Sequence, residues 1–285
     1  MTKKLNFLLV FTQVFDNTMF FSLFSAFFYF MSNDNLTPLK AYLSFNILLV
    51  VLNFHDFLYR KLFSNQIAKA KVETPYTWDN LYYFIKLISV VYGISIVLFV
   101  NYGILDFEYK SLPSTIGRIL LEYWVMSLGK DFTMMKFIHP LMHTPKWYFI
   151  HELHHTIKKD TNVTSAMRVS FLDLIIENVI GVAFIAMFNT MLYGTYSVHL
   201  LSFFYLVWTD ALIHSNNPYS AVFANPILDY LMKPNVEHNL HHILLTDYYM
   251  INSYQHLFVR GKIEKDIALY NELLETKFSY DLFIE

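Results

Sequence analysis

The chain has 285 residues, 55% hydrophobic and 15% charged, against roughly 45–50% and about 25% in an ordinary soluble domain. An integral membrane protein is expected, and disorder or a coiled coil is excluded. A net charge of −2, from 21 basic and 23 acidic residues, offers no basic field to nucleic acid. The lack of cysteine removes disulfides, thiolate-bound haem, iron–sulfur clusters and cysteine nucleophiles, so any metal must be held by nitrogen or oxygen.

Scarce glycine and proline favour helices throughout. The expected fold class is all-α, a polytopic integral membrane protein with a cytosolic histidine-rich metal-binding cap. Lys3 and Lys4 precede a first apolar segment, 8–31, which contains Asp16 and Asn17, lacks a small-residue cleavage site and is expected to be a retained anchor. Further candidate spans follow at 39–59, 81–105, 116–126, 171–193 and 196–213, several of them reaching the ~20 residues that a bilayer requires; the fourth is short and more polar. Basic residues follow the second span (Arg60, Lys61, Lys69, Lys71) and the fourth (Lys130, Lys136, Lys146, Lys158, Lys159), whereas the connection 106–110 is mostly acidic. The positive-inside bias then places both termini, 130–170 and 214–285 on the cytosolic face, with four or six crossings. Residues 261–277 carry apolar positions at Ile263, Ile267, Leu269, Tyr270, Leu273 and Leu274 and read as an amphipathic helix.

Ten of the twelve histidines fall on that cytosolic face. His139 and His143 form H-x-x-x-H, His151, His154 and His155 form H-x-x-H-H, and His238, His241 and His242 form a second H-x-x-H-H. Spacings of three and four put imidazoles on one helix face, as metal ligation requires. A lone histidine on an apolar face is more often a packing residue, and His55, His199 and His256 are read that way. Eight in spaced clusters, without a cation, would leave donors unpaired at the membrane face. One tetrahedral zinc needs four ligands, so this many nitrogens argue for two metal ions. Glu152, Asp210 and Glu237, beside the clusters, are candidates to accept ring N–H bonds and fix tautomers; capping or surface roles fit them equally well. Asp131 is similar.

The ordered boxes, with His214 in His214-Ser-Asn-Asn-Pro218 after the 171–213 hairpin, resemble the membrane fatty acid hydroxylase and sterol desaturase superfamily over roughly residues 112–255. The resemblance divides the chain into N-terminal transmembrane helices at 1–111, a histidine-box catalytic region at 112–255 and a C-terminal amphipathic tail at 256–285. It implies a di-iron centre held by His139, His143, His151, His154, His155, His214, His238, His241 and His242. It also implies O2 as co-substrate, electrons from a cytochrome-type donor and its reductase, and hydroxylation or desaturation of a membrane lipid, whether sterol, sphingoid or fatty acyl. The expected location is the endoplasmic reticulum membrane with the site facing the cytosol, or the inner membrane of a bacterium. His214-Ser215 and the compact size lean toward the sterol methyl oxidase and small hydroxylase branches. The chain departs from the family pattern at Pro140 in place of Arg, at Ser170-Phe171 in place of His-Pro, and at 251–258 in place of a Trp-Asp…Phe-Gly-Thr ending; these positions bear on substrate and donor surface. Two other readings compete. His151-Glu152-Leu153-His154-His155 also satisfies the zinc-protease pattern H-E-x-x-H, but Asp229 is followed by Tyr230 rather than Gly and six clustered histidines are left idle. A non-catalytic metal- or lipid-binding membrane protein is the third.

Overall fold

The computed structural model describes residues 36–62, 93–158, 161, 168–214, 234–245, 260–275 and 283–284, with isolated positions between 4 and 27. It is mostly helical. A short strand β1 (Lys4–Leu5) lies at the N-terminus. Helix α1 (Pro38–Leu62) begins at a proline, whose missing N–H costs nothing there, behind Thr37, whose hydroxyl accepts from the Lys40 amide at 3.3 Å. Its buried stripe runs Ala41, Phe45, Leu48, Leu52 and His55, while Leu43, Ile47, Val50 and Phe54 face outward. Helix α2 (Gly93–Asn101) packs on α1. Strand β2 (Leu105–Asp106) then leads to α3 (Leu112–Lys130).

The rod does not stop at Lys130. It continues as a π-helical segment, Asp131–Ile138, into α4 (His139–Met142). Pro140 explains the widening: in an α-helix its ring would press on the carbonyl one turn back. In the wider turn the His139 amide instead reaches the Met134 carbonyl. Such segments cluster at functional sites. A short α5 (Tyr148–His151) and a 3-10 turn at His154–Thr156 follow.

Helix α6 (Phe171–Tyr193) is opened by the Ser170 hydroxyl, which accepts from the Asp173 amide at 3.1 Å and donates to the Ile150 carbonyl at 2.6 Å. It ends at Gly194, whose φ of +68° lies in the left-handed region that glycine enters without strain. Residues 195–199 form a turn and strand β3 (Val198–His199), parallel to β2. For this reason α7 (Leu200–Ile213) starts four residues later than the apolar run suggested. All of α7 except Asp210 is buried, as befits a helix apolar on every side and enclosed by α1, α3 and, beyond it, α8 (Pro234–Leu244). Helix α9 (Arg260–Leu274) covers α8 with Asp266, Tyr270 and Leu274 buried. Strand β4 (Phe283–Ile284) pairs antiparallel with β1.

Among the described residues two helices are long and apolar enough to cross a membrane, α1 over Pro38–Leu58 and α6. The 14-residue α7 is shorter than that, and the fourth expected span lies within the longer rod of α3. The first expected span, apart from isolated positions, and the 81–92 part of the third lie outside the described residues.

Candidate metal centre

Four pieces of chain converge at the end of the α3–α4 rod. His139 opens α4 and His143 caps it; His151, His154 and His155 lie on α5 and the turn after it. His214 caps α7, and His238, His241 and His242 project from α8. The structure gathers these nine into two groups. Ligand-capable nitrogens of His139, His143, His151, His155 and His241 all lie within 4.8 Å of one another, as do those of His154, His214, His238 and His242. Within the first group His139 Nε2 is 2.9 Å from His151 Nε2 and 3.0 Å from His241 Nε2. Within the second, His214 Nε2 is 2.7 Å from His238 Nε2 and 3.1 Å from His154 Nε2. The groups abut, the His155 and His242 rings being 4.5 Å apart and those of His151 and His154 4.9 Å apart.

Most of these rings are buried, and burial decides their charge. Loss of solvent, with the His151 ring opposite, pushes His143 down to about 4; His151 and His214 fall to about 4 through burial. His154, His155, His238 and His242 are driven well down by burial and by one another. These seven are neutral at physiological pH, the form in which imidazole ligates a metal. Both ring nitrogens of His155, and Nδ1 of His154 and His238, are buried with no hydrogen-bond partner among the described residues. Leaving such an atom unmatched costs ~1–3 kcal/mol. Cations among these lone pairs would relieve that cost, and an all-nitrogen donor set suits iron, copper, nickel or zinc.

The rings are aimed from behind. His151 Nδ1–H donates to Asp173 Oδ2 at 2.8 Å, both residues being buried, so its Nε2 lone pair faces the cluster. His214 Nδ1–H donates to the Asp210 carbonyl at 2.6 Å. Beneath them Lys130 Nζ lies 2.7 Å from Asp210 Oδ2 and 3.8 Å from Glu177 Oε2, tying α3, α6 and α7 together. Sequence reasoning did not single out Asp173 or Glu177, and it counted Lys130 only among the basic residues after the fourth span, whereas Lys130 is buried at the end of α3. The available signal was two carboxylates, i and i+4, on an otherwise apolar helix.

Of the three carboxylates singled out from the sequence, Asp210 serves through its carbonyl and pairs its side chain with Lys130. Glu237 is buried on α8 beside His238. Glu152 is exposed, whereas the general base of a metalloprotease must reach the metal-bound water. Asp131 is buried at the start of the π-helical segment. His55 packs against Trp208 with ring centroids 5.8 Å apart, and His199 caps α7 and packs on Phe107. His256 lies outside the described residues.

Residues 123–259 match the model of the fatty acid hydroxylase family. No curated protein and no solved structure gave a match.

Proposed function

We propose, from the place of residues 123–259 in the fatty acid hydroxylase / sterol desaturase superfamily, that this chain is an O2-dependent di-iron oxidoreductase acting on a membrane lipid. The observation that carries the reading is the convergence of nine imidazoles into two abutting groups with buried, unmatched nitrogens. One iron would be held by His139, His143, His151, His155 and His241, the other by His154, His214, His238 and His242. Iron so bound supplies what no side chain can, reduction of O2 to an oxidant able to break an unactivated C–H bond. In hydroxylation one oxygen atom enters the lipid and the other leaves as water, with two electrons and two protons consumed; in desaturation two hydrogens leave the lipid and both oxygen atoms become water.

The protein contributes orientation and exclusion. Asp173 and the Asp210 carbonyl hold two imidazoles in fixed tautomers. Burial keeps water from the rings. The outward apolar faces of α1 and α6, with Leu43, Ile47, Val50, Val179 and Met187 exposed, would lie against lipid tails in a polytopic arrangement and let a substrate chain approach the cluster along them. Electrons would come from a cytochrome-type donor and its reductase at the cytosolic face, in the endoplasmic reticulum or a bacterial inner membrane. The substrate is a sterol, sphingoid or fatty acyl lipid, the His214-Ser215 pair leaning toward the sterol methyl oxidase and small hydroxylase branches.

Metal analysis and lipid analysis together test this. Purified protein should carry about two irons per chain, one for each group, and His155→Ala should lose both metal and activity while still inserting in membranes. Lipid extracts of cells with and without the protein should differ in a pair of species separated by one oxygen or by two hydrogens. A single zinc without iron, or unchanged lipids in iron-loaded cells, would overturn the reading.

A further inference from the structure

Past Lys130 the outer surface of the α3–α4 rod stays apolar. Leu128, Phe132, Phe137 and Leu141 are all exposed, Phe132 at 65% and Phe137 at 60%. Spacings of four, five and four carry this stripe along one side of the rod, the five-residue step falling where the turns are π-helical. The next element extends it. The Ser170 hydroxyl, by donating to the Ile150 carbonyl, sets α5 against the first turn of α6. Trp147 and Phe149 are therefore exposed at the same end of the molecule as Phe171 and Leu172, where the outward apolar face of α6 begins.

Two cations stand in this surface. Lys136 Nζ lies 5.0 Å from the Phe132 ring centroid and 5.7 Å from that of Phe137, and Lys146 Nζ lies 5.3 Å from that of Trp147, close enough for cation–π attraction. Both lysines are exposed, and residues 132–151 contain no Asp or Glu. A face turned to water carries both signs of charge, whereas exposed apolar side chains rimmed by charge mark a membrane or a partner. Aromatic rings with lysine alone suit the bilayer interface, where the rings lie at headgroup level and the ammonium groups reach up to the phosphates. With no carboxylate on this stretch, a negative headgroup meets attraction only. Continuity with the outward face of α6 selects a lipid surface over an acidic protein. We infer that the π-helical segment, α4 and α5 form an interfacial platform in the cytosolic leaflet, with Phe132, Phe137, Leu141 and Phe149 below the phosphates and Lys136 and Lys146 holding anionic phospholipid headgroups. The histidines carried by the same segments then lie at headgroup depth, within reach of the leaflet. The inference rests on the membrane association proposed above and not on the oxygenase chemistry.

Because the chain lacks cysteine, a bimane label on Phe137→Cys or on Phe149→Cys reports its own surroundings. The full chain is placed in phosphatidylcholine nanodiscs. Lipid bearing a nitroxide on its acyl chain should quench both labels, and aqueous iodide should quench them far less than it quenches bimane on Lys158→Cys. At equal mole fraction, nitroxide-bearing phosphatidylglycerol should quench more strongly than its choline counterpart. That preference should fall by about fivefold for each of Lys136→Gln and Lys146→Gln and shrink at high salt, with melting temperature and metal content unchanged. Iodide quenching as strong as at Lys158→Cys would overturn the embedding and leave an acidic protein as the occupant. Equal quenching by the two lipids, or a preference that survives both lysine substitutions, would overturn the anionic headgroup. Metal content is read separately, so failure here is distinguishable from failure of the proposed chemistry.

Discussion

The contact between His151 and Asp173 shows how a single carboxylate sets a ligand. With its Nδ1–H held at 2.8 Å, the ring cannot flip, and the negative charge behind it strengthens Nε2 as a donor. Asp173→Asn keeps an acceptor and removes the charge, so metal affinity should fall by ~10–100-fold with the fold retained; competition against a chelator checks this. The neutral imidazoles also make a prediction about acid. His143, His151 and His214 are lowered from 6.5 to about 4. Between those values the unfolded chain takes up protons that the folded chain refuses. The metal-free protein should therefore have its full stability above pH 6.5 and lose it as the pH falls toward 4. Melting of chelator-treated protein across that range measures it, and a midpoint that rises on acidification would contradict it. The histidines were legible in the sequence because three- and four-residue spacings survive translation into a helix. Asp173 was not, since it lies 22 residues from its partner and its neighbours spell only an apolar helix.

Between elements the critical contact is that of α3 with α6. A Cβ on Gly129 would stand 2.5 Å from Cγ and 2.8 Å from Cβ of Phe184, so the absence of a side chain lets the helices approach. Gly129→Ala must part them and lift Asp173 and Glu177 away from His151 and Lys130. A loss of ~1–3 kcal/mol in stability is expected, with iron content lowered as well; a melting curve and metal analysis of the one variant test both. The widened turn before Pro140 is the other feature at this scale, and periodicity alone could not announce it. Pro140 entered the sequence reading only as a departure from the family's Arg. The effect of the widened turn is to bury Asp131, Met134 and Met135 on the cluster side, with Met135 Sδ 3.2 Å from His139 Nδ1.

For the molecule as a whole, α3, α6 and α7 run between two polar layers, the histidine cluster with Lys130 at one end and the Glu122 network at the other. If these helices cross a bilayer, Lys158 and Glu108 lie on opposite sides of it. The chain has no cysteine, so Lys158→Cys and Glu108→Cys can be labelled by a membrane-impermeant thiol reagent without background. Sealed vesicles with the cytosolic face outward should label the first and protect the second; labelling of both would remove the spanning arrangement. The pairing of β1 with β4 adds that Lys4→Cys should label with Lys158→Cys. The helical class and the bounds of α6 were legible from the run of apolar residues between Ser170 and Gly194. The length of α7 was not, because the turn after Gly194 spends part of the apolar run on β3. His154 and His155 are adjacent in the chain yet belong to different groups, and α8 is divided likewise, with His241 in one group and His238 and His242 in the other. An ion entering either group thus orders backbone that the other also needs, and a second ion meets a partner already ordered. Uptake is then cooperative: anaerobic titration of the metal-free protein with ferrous iron should rise with a Hill coefficient above one, and chains holding a single ion should stay scarce at half saturation.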